Sequence, residues 1–252
     1  MSDVYDEAAG RAGPDHPEVD RLRAVARGLP PAAVLTHHTA AMLYGFGVVR
    51  ANSLHVTLPA GTTLPQRRGI AAHGTVLPFT EVRDVLGLRC LAPARCAVDL
   101  ARQLDRLDAL AVLDAALRVG ACTPDELEDE VARHDGLRGV RQARELVRLA
   151  DPRARCRQES HLRLILHDGL LPAPEPQLAV LDDRGQVHCR IDLGYTVQRV
   201  GVVYDSGSTL DQPRHNWLET RGWRLRYFTD EDLYRDPDGL VLTVRSALYY
   251  PR

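Results

Sequence analysis

The composition of this 252-residue chain is that of an ordinary globular protein, with 44% hydrophobic and 26% charged residues. Its formal net charge of -2 excludes an argument from overall charge for binding to nucleic acid or to an anionic membrane, so any such surface must be local. All 32 basic residues are arginine, and a catalytic lysine is therefore excluded.

The cysteines and the N-terminus indicate the compartment. Five scattered cysteines without a C-x-x-C pair are typical neither of a zinc knuckle nor of a disulfide scaffold, and they favour a reducing cytoplasm. The first residues are acidic and polar, with no apolar segment of a signal peptide, and no apolar run approaches membrane-spanning length. We expect a cytoplasmic protein, neither secreted nor membrane-bound, with a mobile acidic tail over residues 1–20.

Residues 21–150 predict a domain of helices and short strands. A helix is expected over VDRLRAVARGL and another over LTHHTAAMLYGFG, with Thr36 as its N-cap. Short strands are indicated in SLHVTLPAG, GIAAHGTVL and VRDVLGLRCL. From Pro93 the apolar residues recur at helical spacing, and Thr123 with Glu126 predicts a capping box.

A different pattern follows Asp151-Pro152, where we place a domain boundary. Residues 151–252 predict a helix (QESHLRLILHDGLL), three strands (PQLAVLDD, VHCRIDLGY and RVGVVYD), a helix around PRHNWLETRG, a strand (WRLRYF) and a final helix (DPDGLVLTVRSALYY). This order places a sheet between helices. The predicted class is therefore α/β (α+β): a mixed helical and short-strand domain followed by an α/β sandwich.

The adjacent His37 and His38 are the most prominent histidines of the first domain. Neighbouring residues on a helix point about a quarter turn or more apart, so the pair makes a poor metal chelate. We expect one ring to cap the helix and the other to pack in the core.

Three acids of the second domain form a candidate metal site. Glu159 lies on a predicted helix, Asp192 on a strand and Asp205 at the end of the next strand. Strands about 4.8 Å apart can bring two carboxylates together and a covering helix can add a third, which is what Mg²⁺-dependent phosphodiester hydrolysis requires. His188 shares a strand face with Arg190 and Asp192. Alternatively, the acids are ordinary cap, turn and surface residues.

Both domains resemble known families. The segments ESHLRLIL, RIDLGY, VGVVYD and LETRGWRLRYFTDEDL are similar to the endonuclease-like domain related to very-short-patch-repair endonucleases, a branch of the PD-(D/E)xK fold. Residues 30–150 resemble the region that precedes this domain in many actinobacterial proteins and is related to AbiE-type (type IV) antitoxins. There the matching segments are LTHHTAAMLYGF, LHVTLP and LRCLAPARCAVDLAR.

The endonuclease resemblance implies a set of functional residues. Asp192 and Asp205 are the implied ligands of Mg²⁺, and Glu159 and His188 complete the implied catalytic set. Contacts to nucleic acid are implied for three arginines: Arg163, Arg190 and Arg214.

Val203 occupies the position where this family has a metal-bridging glutamate. Because Mg²⁺ keeps few protein ligands, this replacement implies that its binding is weakened or lost. Our leading interpretation is a nuclease-fold protein that does not cut but binds nucleic acid or protein in defence, toxin–antitoxin function or regulation. An active Mg²⁺-dependent DNA endonuclease is the first alternative. A fold recruited to small-molecule chemistry or to scaffolding is the second.

Overall fold

The computed structural model describes residues 16–59, 61–62, 68–75, 78–207 and 211–250. The chain divides into two units, Met1–Pro152 and Arg153–Arg252. Of the predicted acidic tail, residues 1–15 lie outside the described residues, and Pro17 begins the first helix. In the described part of the chain, no helix has both the length and the apolar character that crossing a membrane requires.

The first unit combines a five-stranded mixed sheet with helices. Its strands are β1 (Val34–Leu35), β2 (Leu54–Pro59), β3 (Ile70–Thr75), β4 (Val82–Val85) and β5 (Leu88–Leu91), with a 3₁₀ helix at Phe79–Glu81 before β4. Its helices are α1 (Pro17–Ala26), α2 (His37–Tyr44), α3 (Pro93–Gln103), α4 (Arg106–Arg118), α5 (Pro124–Arg133) and α6 (Val140–Leu149). The strand order is β3-β2-β1-β5-β4, in which β2 with β3 and β1 with β5 are parallel.

Local sequence signals account for these helices. The capping box predicted for α5 is confirmed, because the Thr123 side chain accepts from the Glu126 N–H while the Glu126 carboxylate accepts from the Thr123 N–H. Almost every side chain of α4 is buried, including fully buried Leu110 and Leu113, so α4 forms the centre of the helical core. The two-residue strand β1 was not predicted, although it lies in the middle of the sheet.

The second unit contains a four-stranded sheet. Its elements are α7 (Arg157–Asp168), β6 (Glu175–Leu181), β7 (Val187–Tyr195), β8 (Val200–Tyr204), α8 (Gln212–Thr220), β9 (Arg224–Phe228), α9 (Asp230–Arg235) and α10 (Pro237–Tyr249). The strand order is β6-β7-β8-β9; β6, β7 and β8 are antiparallel, and β9 is parallel to β8. The predicted α/β (α+β) class is confirmed, while the short helix α9 was not predicted.

Two helical layers pack on this sheet. Helices α7, α9 and α10 contact one another and the strands. An apolar cluster forms beneath α8, and we call it the α8 cluster; its members are Leu178, Val180, Ile191, Val203, Leu218, Trp223 and Leu225. Leu218 and Ile191 are fully buried in it.

Candidate functional site

Glu159 is held inside the second unit by the start of α7. It is the third residue of this helix, and 6% of the residue is exposed. Its Oε2 atom accepts hydrogen bonds from the Arg155 backbone N–H (2.9 Å) and from Nε2 of Gln177 (2.9 Å). The first contact pairs a backbone donor of the segment just before the N-cap residue Cys156. These contacts tie Glu159 to the segment before α7 and to β6.

Gln177 is a site residue that sequence reasoning missed. It lies on β6 with a backbone φ of +52°, a left-handed conformation that is uncommon for a residue with a Cβ atom. Its buried side chain donates to Glu159. Strained backbone of this kind concentrates at functional sites. A glutamine within an ordinary strand pattern carries no signal of this geometry, so only the structure reveals it.

Asp192 lies on β7, half-buried and close to Glu159. Its Oδ2 atom accepts a hydrogen bond from the Tyr204 backbone N–H (2.9 Å) on the neighbouring strand β8. The Tyr204 hydroxyl in turn donates to Asp230 Oδ1 in α9 (2.9 Å). Asp192 thus closes the end of the β7–β8 ladder in place of a backbone carbonyl. We call Glu159 and Asp192 the carboxylate pair.

Burial changes the acidity of the carboxylate pair. The pKa of Glu159 is raised from 4.5 to about 7, first by burial and then by the negative charge of Asp192. Burial likewise raises the pKa of Asp192. Near neutral pH, Glu159 therefore exchanges between its neutral and charged forms. Buried structural pairs and catalytic pairs both show this property, so it does not distinguish between them.

Asp205 follows β8 and shapes the turn after it. Its Oδ1 atom accepts from the Gly207 N–H (2.8 Å), while its own N–H donates to the Phe228 carbonyl oxygen (2.8 Å). Within the described residues, Asp205 does not join the carboxylate pair in a group of three side chains whose ligand atoms all lie within 4.8 Å of one another. The structure thus brings Glu159 and Asp192 together and gives Asp205 a separate local contact.

Val203 is an apolar core residue, 7% exposed, in the α8 cluster. Adjacent residues of a strand point to opposite faces, and the side chain of Tyr204 reaches Asp230 of α9. Val203 correspondingly belongs to the same apolar cluster as Leu218 of α8. The first carbons of an acidic side chain at position 203 would therefore lie within this apolar cluster.

His188 is turned towards α8. Its ring stacks on Trp217, with the ring centroids 3.8 Å apart, and the Arg221 guanidinium lies 3.8 Å from the centroid of the same ring. The three side chains of the predicted polar face, His188, Arg190 and Asp192, each have a different partner.

The arginines implied in nucleic-acid contact have contacts within the protein. Arg190 is exposed but donates from Nη1 to the Gln177 carbonyl oxygen (3.0 Å), and half-buried Arg214 donates to the Arg190 carbonyl oxygen. The charges of Arg214 and Arg155 lower the pKa of Asp192, against the effect of burial. Arg163 lies half-buried on α7. Positive charge from Arg155 and Arg214 thus acts on the carboxylate pair.

Comparison with known proteins shows what the first unit is similar to. Residues 32–149 match the model of the AbiEi antitoxin C-terminal domain. Two uncharacterized proteins from two strains of Mycobacterium tuberculosis, Rv2248 and MT2308, are each 35% identical to the chain over 224 residues, which is 86% of this chain and 81% of each relative. The chain belongs to the same family as these mycobacterial proteins.

The match confirms the predicted antitoxin-like character of the first unit. The AbiEi-like region, residues 32–149, begins just before β1 and ends with α6. It therefore includes the whole sheet of the first unit. The endonuclease-like character of the second unit stays a prediction from the resemblance.

Proposed function

We propose that the chain is a binding protein of a toxin–antitoxin or defence system, with a nuclease-like second unit that does not cut nucleic acid. The AbiEi-like region supports the biological context. In this proposal a protein is the partner of the first unit, and DNA is the candidate ligand of the second. The thiols of all five cysteines are free, which supports a cytoplasmic location.

The observation that carries the proposal is that the protein's own donors already engage the three predicted metal-binding acids. Glu159 Oε2 accepts two hydrogen bonds, Asp192 Oδ2 accepts one and Asp205 Oδ1 accepts one. Mg²⁺ binds through only one or two carboxylates and demands near-octahedral geometry, so it would have to compete with these contacts. Apolar Val203 supplies no further ligand.

An active Mg²⁺-dependent endonuclease is the second candidate, and one observation favours it. Burial raises the pKa of Glu159 and the charge of Asp192 raises it further, and a divalent cation bound between the two carboxylates would remove the repulsion between them. The other alternative, small-molecule chemistry or scaffolding, would use the polar side chains of His188, Arg190 and Asp192 on one strand face. The stacking of His188 on Trp217 gives that alternative no support.

A plasmid-nicking assay separates binding from cutting. The full chain is incubated with supercoiled plasmid and Mg²⁺ or Mn²⁺, with a chelator as the negative control. We expect no nicking above that of Asp192→Ala, because the carboxylates serve the fold. Metal-dependent nicking by the wild type that disappears in Asp192→Ala would show that the chain is an endonuclease and that the proposal is wrong.

DNA binding is tested separately by fluorescence anisotropy with a labelled duplex over a range of salt concentrations. We expect affinity to fall with salt, and Arg190→Ala to reduce the slope of log affinity against log salt by about 1, the effect of losing a single phosphate contact. Arg235→Ala is the matched control, since this arginine is 80% exposed on α9 and pairs with Glu231. Equal slopes for both variants, or no binding at all, would remove DNA from the proposal.

A further inference from the structure

Three histidines from separate elements of the first unit converge. His37 is the first residue of α2, His55 lies on β2 and His73 on β3. One ligand nitrogen from each ring lies within 4.8 Å of the other two. The parallel register pairs Thr57 with His73 and His55 with Ala71, so His55 and His73 are diagonal neighbours on one face of the sheet. We call these three residues the histidine cluster.

The spacing within the histidine cluster fits metal coordination. His55 Nδ1 and His73 Nε2 are 3.1 Å apart, and the rings of His37 and His73 stack with centroids 4.1 Å apart. Zinc–nitrogen bonds measure about 2.0 to 2.1 Å, so two nitrogens bound to one tetrahedral zinc lie about 3.3 Å apart. The separation of His55 Nδ1 and His73 Nε2 is therefore close to that of two ligands of one ion, and a nitrogen of His37 lies within 4.8 Å of a ligand nitrogen of each.

Hydrogen bonds that do not involve the histidine rings hold α2 beside β2. The Thr36 N–H donates to the His55 carbonyl oxygen (3.1 Å), and the His55 N–H donates to Thr39 Oγ1 (2.8 Å). The Cys96 thiol of α3 donates to the His37 carbonyl oxygen (3.1 Å). The two ring-bearing segments are therefore held together by contacts that do not involve the rings.

His37 itself has an unusual environment. Only 5% of the residue is exposed, and its backbone φ is +49°, in the left-handed region that side chains with a Cβ atom rarely adopt. Its Nδ1 atom lies 3.1 Å from Thr36 Oγ1, and its Nε2 atom lies 2.8 Å from Nε2 of exposed Gln103. A metal-bound imidazole donates its other N–H to an oxygen, and the Thr36 hydroxyl can accept it while Gln103 rotates away.

The rings of the histidine cluster are neutral at physiological pH. Burial, followed by the neighbouring rings, lowers the pKa of His37 to about 3, and burial with the charges of His38 and His73 lowers that of His55 to about 4. Burial also lowers the pKa of His73. A neutral imidazole keeps one nitrogen lone pair, which is the form that binds a metal ion.

We propose that His37, His55 and His73 bind one divalent transition-metal ion of the zinc class. Imidazole ligands suit Zn²⁺, Ni²⁺ and Cu²⁺ rather than Mg²⁺ or Ca²⁺, and a set of three protein ligands leaves a coordination position for water or for a further ligand. The bound ion ties the start of α2 to β2 and β3. Neither the family match nor the names of the relatives assign a metal to this region.

The expectation for His37 and His38 needs a corresponding correction. The adjacent pair is not the chelate, as argued from helix geometry, but neither ring caps α2: His38 Nδ1 contacts the Val49 carbonyl oxygen, and His37 stacks on His73. His37 finds its partners on β2 and β3 instead. Because these three histidines are far apart in the sequence, their spacing does not predict the histidine cluster.

The test uses the full chain, stripped of metal by a chelator and titrated with Co²⁺ and then with Zn²⁺. We expect one ion per chain, a visible Co²⁺ spectrum of the intensity typical of four-coordinate sites, and displacement of Co²⁺ by Zn²⁺. Failure of the folded wild type to take up either ion would overturn the proposal.

Variants locate the ion. We expect His55→Ala and His73→Ala each to weaken metal binding by more than about 100-fold. Loss of a residue that only hydrogen-bonds to a metal ligand weakens binding by about 10- to 100-fold, so a larger loss indicates a ligand. His37→Asn serves as the third variant, because asparagine tolerates the left-handed backbone. His188→Ala, an exposed histidine of the other unit, is the control and retains binding. Wild-type affinity in the cluster variants, or a loss confined to His188→Ala, would contradict the assignment.

Hydrogen exchange covers the case in which a variant fails to fold. In the wild type, Zn²⁺ is expected to slow amide exchange in residues 34–44, 54–59 and 70–75, which comprise β1 to β3 and α2. Slowing elsewhere in the chain without any change in these segments would place the ion at another site.

Discussion

The two units each bury a cluster of titratable side chains, with opposite chemical results. In the first unit, burial lowers the pKa values of His37 and His55 and leaves neutral rings. In the second unit, burial raises the pKa values of Glu159 and Asp192 and favours protonated acids. Removing a charged group from water disfavours its charged form in both cases. For an imidazole the neutral form is the metal ligand, whereas for a carboxyl group the charged form is.

The hydrogen-bond partners of the two clusters also differ, and the difference again favours metal binding in the first unit. The carboxylate pair is hydrogen-bonded by N–H groups of Arg155, Gln177 and Tyr204, which act on the ligand oxygens themselves. In the histidine cluster, His55 and His73 contact each other through ring nitrogens. A cation would thus compete with two backbone N–H donors and Gln177 in the second unit, while in the first it would bridge rings that already meet and displace the side chain of Gln103. Resemblance directs attention to the second unit, but the geometry favours the first as a metal site.

The largest effect is expected from Val203→Glu, which restores the acid of the endonuclease pattern. Because Val203 is 7% exposed in the α8 cluster, we expect a loss of about 3 kcal/mol or more in the free energy of unfolding and no gain of nicking. Trp217 and Trp223, the two tryptophans of the chain, both lie in the second unit. Their fluorescence in a urea titration therefore reports the unfolding of this unit.

The control for this substitution is Val197→Glu, the same chemical change at a residue that is 91% exposed between β7 and β8. We expect its effect to stay within about 0.5 kcal/mol. A folded Val203→Glu protein that nicks plasmid with Mg²⁺ would instead show a nuclease site disabled at one ligand. That outcome would reverse the comparison between the two units.

The sequence predicted most of the fold because its signals are local. The capping box at Thr123 and the change from alternating to helical spacing at Pro93 each depend on a few neighbouring residues. The strand β1 was missed since two residues cannot establish a period, and its place in the sheet depends on pairing with β2 and β5. The helix α9, with six residues, is similarly too short for a periodic signal.

The candidate sites were less predictable because they depend on long-range contacts. The proximity of Glu159 and Asp192 was expected from a helix covering adjacent strands. The left-handed backbone of Gln177 and the convergence of His37 with His55 and His73 were not, since neither follows from spacing along the chain. Histidines separated by 18 residues on parallel strands become neighbours only through the β2–β3 register.

Glu159→Gln tests the charge of the carboxylate pair. The folded protein keeps the Glu159 proton up to about pH 7, whereas the unfolded chain releases it near 4.5, so the folded state binds more protons between these values. The stability of the wild type therefore falls as the pH rises through this window. Since glutamine can accept the same hydrogen bonds without a charge, we expect the variant to be more stable at pH 8 by on the order of 2 to 3 kcal/mol.

The measurement is tryptophan-detected urea unfolding at pH 5 and pH 8, with a chelator present. Glu231→Gln is the control, because this glutamate is 75% exposed on α9. We expect the control to keep the wild-type pH dependence. The same pH dependence in Glu159→Gln as in the wild type would mean that the pair is not a buried charged pair, and the electrostatic contrast between the units would fail.

His37→Asn tests whether the stability of the first unit changes with pH in the opposite direction. The pKa of His37 is about 3 in the folded protein against 6.5 as its ordinary value, so the unfolded chain binds more protons between these values. Stability contributed by the neutral ring is complete above pH 6.5 and is lost as the pH falls. For this ring alone, we expect a loss of about 2 kcal/mol between pH 6.5 and pH 5.

Far-UV circular dichroism detects the unfolding of both units, whereas tryptophan fluorescence detects only that of the second unit. A transition that is seen by circular dichroism alone therefore belongs to the first unit. In metal-free protein, acidification should move this transition to lower urea, and His37→Asn should reduce the shift while His188→Ala leaves it unchanged. Raising the pH should move the fluorescence transition to lower urea instead. Burial is the proposed cause in both units, acting on a base in the first and on an acid in the second. If both transitions moved to lower urea in the same direction of pH change, this explanation would be refuted.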